Sequence, residues 1–140
     1  MLQQNTTKRV GYWFVYLHHR FEEGTAAALR EEKLSRRQWQ VLHALAIGVD
    51  TVEGLDEAFA PFLPLDGVPG YQPIVAELAE RGWATEEDGT IRLTEAGRAA
   101  HGRAEVLVEA HAAKSLRGIG EEEFLAANAV LRRIAENLDS

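Results

Sequence analysis

The chain contains no cysteine. Disulfides, thiolate zinc sites and cysteine-based redox sensing are excluded together. Nor is there an apolar run approaching the ~20 residues a membrane span requires, and the N-terminal stretch MLQQNTTKRV lacks the apolar centre of a signal peptide. The expectation is a cytoplasmic protein with no membrane partner. A Gly-rich phosphate loop, a nucleophile elbow and a carboxylate pair in a glycine-bounded cleft are all missing. Ser35 and Ser115 fall at helix termini, so no catalytic residue and no enzyme are expected. The five histidines, His18, His19, His43, His101 and His111, show neither HExxH nor His-x3-His spacing. His18 and His19 are adjacent and point to different helix faces. No metal site and no cofactor are therefore expected.

What is present is ordinary for a globular chain: 140 residues, 46% hydrophobic and 26% charged. The net charge of −7 is unevenly spread, with +3 over residues 1–40, −9 over 41–97 and −1 over 98–140. The middle of the chain is strongly acidic.

Periodicity divides the chain into helices. From about Lys8 to Leu29, Val10, Phe14, Leu17 and Phe21 recur at the spacing of a core-facing stripe, beside a second, amphipathic stripe of Tyr12, Tyr16, His19 and Glu23. Ser35 with Gln38 fits a capping box, and Leu34 with Trp39 a hydrophobic staple. Trp39, Leu42, Leu45 and Ala46 form the buried face of that second helix, which Gly48 ends. Asp50 or Thr51 caps a third helix, bearing Val52, Leu55, Phe59 and Phe62 and stopped by Pro61 and Pro64. Residues 65–70 read as a turn. A fourth helix runs from about Tyr71 to Arg81, with Ile74 and Leu78 as core contacts and Gly82 as its C′ residue.

Asp88-Gly89 between two short β-compatible runs predicts a hairpin. Thr94 caps a long helix to about Leu116, broken by Gly118 and Gly120. In the last helix, Glu121–Leu138, the residues Phe124, Ala127, Leu131, Ile134 and Leu138 follow a coiled-coil seam spacing.

Three helices and a hairpin make a winged helix-turn-helix, mainly α with a small β-hairpin wing. The flanking helices carry continuous apolar stripes that this lobe does not need for its own burial. A second copy of the chain would cover them, giving a two-fold dimer through the N- and C-terminal helices; packing back onto a monomer core is the alternative. The organisation expected is one domain over 1–140, with dimerisation helices at 8–33 and 95–138 and the winged lobe at 35–94.

The segments Leu34-Ser35-Arg36-Arg37-Gln38-Trp39-Gln40-Val41-Leu42, Val75-Ala76-Glu77-Leu78-Ala79-Glu80-Arg81-Gly82-Trp83 and Ile91-Arg92-Leu93-Thr94-Glu95-Ala96-Gly97 resemble the multiple antibiotic resistance regulator (MarR) family. The third is the most specific, a wing strand running into Leu-Thr-x-x-Gly and a long helix. The resemblance covers essentially the whole chain. It implies a homodimer that sets a recognition helix in each major groove of a palindromic duplex operator, with a wing beside it. It also implies a small-molecule pocket between the dimer helices and the DNA-reading lobe.

On that frame the recognition helix presents Gly70, Tyr71, Gln72, Pro73, Ala76 and Glu77. Gln72 suits bidentate contact with adenine, and Tyr71 contact with phosphate or stacking. Arg36 and Arg37 either supply charge near the DNA or form a solvated helix terminus, and Arg92 supplies the wing's cation. Family members usually offer Ser, Thr and Arg on this helix and an Asp-Arg-Arg wing tip, whereas here the tip is Glu86-Glu87-Asp88-Gly89. Tyr12, Trp13, Tyr16, His19, Trp39 and His43 would either line a cleft for a small aromatic effector or fill the dimer core. Two functions follow. One is a ligand-responsive DNA-binding transcription regulator, a repressor. The other is a winged-helix dimer impaired in DNA binding, acting as a protein-interaction or ligand-sequestering module.

Overall fold

Local capping chemistry sets most element boundaries in the computed structural model, which describes residues 9–140. Helix α1 spans Val10–Ala28; the start expected at Lys8 lies outside the described residues. Helix α2, Arg36–Ala46, opens on the reciprocal box that its sequence predicts. The Ser35 hydroxyl accepts the Gln38 N–H at 3.1 Å, and Gln38 Oε1 accepts the Ser35 N–H at 2.9 Å. Helix α3, Val52–Ala58, is capped by Thr51 rather than Asp50, its hydroxyl accepting the Gly54 N–H at 3.0 Å.

The two prolines do not stop helical structure after α3, contrary to expectation. Each sits in the first turn of a short helical piece, the 3-10 turn Ala60–Phe62 and helix α4, Leu63–Asp66. A first-turn residue has no intrahelical use for an N–H, and the proline ring presets φ. Helical structure therefore persists to Asp66, and Gly67, at φ +67°, ends it.

Helix α5, Gln72–Glu80, ends in a Schellman motif: Trp83 N–H donates to the Leu78 carbonyl at 3.0 Å and Gly82 N–H to Ala79 at 2.9 Å. Strands β1, Ala84–Glu87, and β2, Thr90–Leu93, pair antiparallel with Ala84 opposite Leu93. Asp88 at φ +51° and Gly89 at φ +80° make the tight turn between them, both central residues being left-handed as a primed turn requires. Ile91 N–H also donates to the Asp50 carbonyl at 2.8 Å, tying the hairpin to the loop after α2. Helices α6, Glu95–Ser115, and α7, Glu121–Asp139, complete the chain.

By internal contacts the chain forms two units, one ending at Val108 and the other Glu109–Ser140. The first holds the hydrophobic core, where Leu29, Val41, Leu42, Leu55, Tyr71, Val75 and Leu78 are fully buried. On α5 the buried pair is Val75 and Leu78, with Ile74 only partly covered. Burying a side chain of this size stabilises by about 1.5–3 kcal/mol.

The Leu93-Thr94-x-x-Gly97 motif has a structural logic of its own. Thr94 N–H donates to the Trp83 carbonyl at 2.9 Å, and its hydroxyl donates to the Gly82 carbonyl at 2.6 Å while accepting the Gly97 N–H at 3.0 Å. One threonine thus caps α6 and stitches it to the end of α5. The first turn of α6 is drawn against the chain at Trp83. A Cβ on Gly97 would overlap the Trp83 carbonyl oxygen and lie 2.8 Å from its carbon. Gly97→Ala is therefore expected to cost about 3 kcal/mol and lower the melting temperature by ~10 °C. A loss under about 1 kcal/mol in thermal unfolding would mean that the Trp83 backbone gives way freely.

The end helices depart from one expectation. The sequence spacing places Val10, Phe14, Leu17 and Phe21 on a core-facing stripe, but all four are exposed in the single chain, and Thr25 is the buried residue of α1. Helix α7 has no buried residue, and Phe124, Leu131, Ile134 and Leu138 all face outward. Both stripes keep the helical spacing that the sequence predicts, and their side chains are exposed.

Candidate functional site

Helix α5 packs against the hairpin, and side-chain bonds join it to both α2 and the wing. Gln38 Nε2 donates to Glu77 at 2.7 Å, joining α2 to α5, and Gln72 Nε2 donates to Glu86 at 3.1 Å, joining the start of α5 to the wing. The outward face of α5 carries Gln72, Pro73, Ala76, Glu77 and Glu80. It holds no cation.

The structure reassigns most of the residues expected at DNA. Arg37, placed by the sequence at a phosphate or a solvated terminus, is 6% exposed. It donates to Asp66 at 2.7 Å and Glu22 at 2.9 Å, to Gln40, and lies 3.8 Å over the ring of Phe62. Burial opposes its charge, yet Asp66 and Glu22 hold its pKa above the ordinary value. Tyr71 is 1% exposed and cannot reach phosphate or stack on a base. Its hydroxyl donates to Asp66 at 2.9 Å and its N–H to Asp56 at 2.8 Å. Burial, then the bond to Asp66, pushes the phenol up to about 12. Burial alone would raise Asp66, but bonds from Arg37 and Tyr71 keep it below the ordinary aspartate value.

Arg36 belongs to the same assembly, pairing with Glu22 at 3.1 Å beside the rings of Phe21 and Phe62. Gly70 lies where a Cβ would sit 2.9 Å from the Asp56 carboxylate, so its role is to admit that carboxylate to the Tyr71 N–H. These residues form one network, Glu22–Arg36/Arg37–Asp66–Tyr71, that fastens α1, α2, α4 and the start of α5. It lies behind the exposed face of α5 and braces it. Of the six residues expected at DNA, Gln72 and Arg92 remain at the surface. Arg92 stands on β2 opposite Thr85.

The residues expected at an effector fall into two groups with separate ring partners. Tyr12, Trp13 and Tyr16 form an exposed aromatic cluster on α1, with centroids 5.2–6.2 Å apart. His19 is exposed on the same helix and neighbours His18 at 5.7 Å. Trp39 is buried and stacks with His43 and with His101, each at 5.2 Å.

His101, which its spacing in the sequence set aside as a ligand, and Glu105, which the sequence does not single out, join His43 in this second group. His43 Nδ1 lies 2.9 Å from His101 Nε2, a hydrogen bond between residues far apart in the chain, and Glu105 lies 3.9 Å from His101 Nδ1. Burial lowers the His101 pKa, while Glu105 pulls it the other way. The available signal was the four-residue spacing of His101 and Glu105, which puts both on one face of α6.

No protein-family model matches the chain, and no curated protein sequence matches it. Solved structures do. A MarR family transcriptional regulator from Silicibacter pomeroyi is 24% identical over 97% of this chain and 96% of its own, with a TM-score of 0.75. The transcriptional repressor CouR, bound to p-coumaroyl-CoA, is 23% identical over 90% and 91%, with a TM-score of 0.68. The Mycobacterium tuberculosis MarR family protein Rv2887, in complex with DNA, is 21% identical over 95% and 99%, with a TM-score of 0.63. Similarity at this level establishes the fold, a mainly helical winged helix-turn-helix of the MarR type. Among the described residues, no helix is long and apolar enough to cross a membrane.

Proposed function

We propose that this chain, with the fold of the MarR regulators, acts in the cytoplasm as a homodimeric DNA-binding transcription regulator without covalent chemistry. On this reading it is a repressor whose hold on a palindromic operator changes when a small aromatic effector binds. The observation that carries the reading is the α5–hairpin surface, a helix braced at its start by Asp56 and linked to a wing through Gln72 and Glu86. Two solved relatives in fold support it, one complexed with DNA and one holding an aromatic thioester ligand. Gln72 would read a base edge and Arg92 a phosphate. Tyr12, Trp13, Tyr16 and His19 on α1, with Trp39 and His43 on α2, would surround the effector. Binding of the effector would bias the spacing of the two reading helices.

A specific feature favours a second reading. The exposed face of α5 offers Glu77 and Glu80, the wing tip is Glu86-Glu87-Asp88, and Arg36 and Arg37 are already paired with carboxylates. Duplex affinity rests on releasing counterions with Lys and Arg, and negative charge at that surface works against it. The second reading is a winged-helix dimer that engages a protein partner or sequesters a ligand.

Titrating the protein into duplex carrying its own upstream region at several salt concentrations separates the two. A sequence-specific complex that weakens as salt rises supports the regulator, and no complex even at low salt supports the interaction module. For the regulator, Arg92→Ala is expected to weaken binding across all sequences. The slope of log K against log salt should become shallower by about 0.9 per lost phosphate contact, or ~2 for a dimer. An unchanged slope would remove the wing from the interface.

A further inference from the structure

We propose that His43, His101 and Glu105 form a binding site for one divalent transition-metal ion of the zinc, cobalt or nickel type. One donor atom from each residue lies within 4.8 Å of the other two, and all three side chains are partly buried. The site draws on two elements remote in sequence, with His43 on α2 and His101 and Glu105 one turn apart on α6. It lies wholly within the unit that ends at Val108.

Three features distinguish this cluster from a chance meeting of surface groups. Two imidazole nitrogens face each other at 2.9 Å, so a single proton bridges two lone pairs, a position that a cation can take over. The ring that donates this proton shifts to its other tautomer, freeing the facing nitrogen as a ligand. Trp39 stacks on both rings at interplanar angles of 29° and 12°, fixing their planes before any ion arrives. The Glu105 carboxylate, 3.9 Å from His101 Nδ1, adds an anionic oxygen to the same cluster and would neutralise part of the ion's charge.

The ligand set decides the ion. Two imidazoles and one carboxylate, with no thiolate in the chain, select first-row metals over magnesium or calcium, which prefer all-oxygen shells. Metal–nitrogen bonds of about 2.0–2.1 Å at a tetrahedral angle put the two nitrogens ~3.3 Å apart. The rings need to separate by only a few tenths of an ångström from their present positions. Three protein ligands leave a fourth position for water or for an oxygen of a small ligand.

The proposal goes beyond the regulator reading and stands whether or not the chain binds duplex. Its test is a titration of the full-length protein with cobalt(II), read from visible d–d absorption, followed by competition with zinc(II) and melting temperatures with zinc present. One ion per chain, a histidine-ligated cobalt spectrum and a raised melting temperature are expected. Glu105→Gln and His43→Asn should each weaken zinc by about tenfold or more, whereas His111→Asn should leave it unchanged. The Glu105 side chain is 42% exposed, so Glu105→Gln tests ligation in a chain that still folds. Equal zinc affinity in Glu105→Gln, His43→Asn and the unaltered chain would overturn the proposal, as would the absence of a cobalt spectrum at millimolar cobalt.

Discussion

On the homodimer reading proposed above, replacing Ile134 with glutamate is expected to dissociate the dimer into monomers. Helix α7 contributes no buried residue to its own chain, yet it carries Phe124, Leu131, Ile134 and Leu138 at seam spacing. Covering each such side chain against a second copy stabilises by about 1.5–3 kcal/mol, and two-fold symmetry counts every contact twice. A carboxylate at Ile134 would forfeit that term and add the desolvation of two charges, weakening association by roughly 10³-fold or more. Sedimentation equilibrium reads the change directly. The core of the unit ending at Val108 contains no α7 residue, so its helical signal should persist in the variant. Operator affinity, where present, should fall with the dimer, because each chain would hold only one half-site. A monomeric unaltered protein, or a dimer indifferent to Ile134→Glu, would show that α7 is not the seam.

The second large effect is expected at Arg37. Arg37→Ala removes a guanidinium whose side chain is 7% exposed, leaving Glu22 and Asp66 without their common partner and Phe62 without its cover. Loss of one member of a buried ion pair costs about 3–5 kcal/mol, and the partial exposure of both carboxylates places this case near 3. A fall of ~10 °C in melting temperature is expected. Arg37→Lys should rescue little, since an ammonium cannot bridge two carboxylates in one plane.

The pH dependence follows from the direction of the Asp66 shift. The folded carboxyl titrates below its ordinary value, so its stabilisation is present above about pH 4 and is lost as acid protonates it below that. In Arg37→Ala this acid limb should flatten. Stability, not the salt slope of DNA binding, is the quantity expected to move. A reduced slope with unaltered melting would return Arg37 to the phosphate interface.

Much of the fold was legible because its determinants are local. The Ser35–Gln38 box, the Gly82 Schellman end, the Asp88-Gly89 turn and the Thr94 cap each involve residues at most a few positions apart, and each forms as its sequence predicts. The prolines misled because Pro61 and Pro64 carry the same letter whether they end one helix or begin the next. Only the preceding backbone decides which.

Taken alone, the sequence determined the long helices and the hairpin, their order, the winged lobe and the existence of apolar stripes on the end helices, but not the short helical pieces at Ala60–Phe62 and Leu63–Asp66. Tertiary structure decided where the charges go. Arg36 and Arg37 read equally well as phosphate ligands or as a solvated terminus until Glu22 and Asp66 met them from α1 and α4. His43 and His101 had no visible relation until α2 and α6 brought their rings within hydrogen-bonding distance. The physical reason is the range of the interactions. Periodicity and capping act within a few residues and repeat along the chain, whereas an ion pair or a ligand cluster depends on where distant elements come to rest.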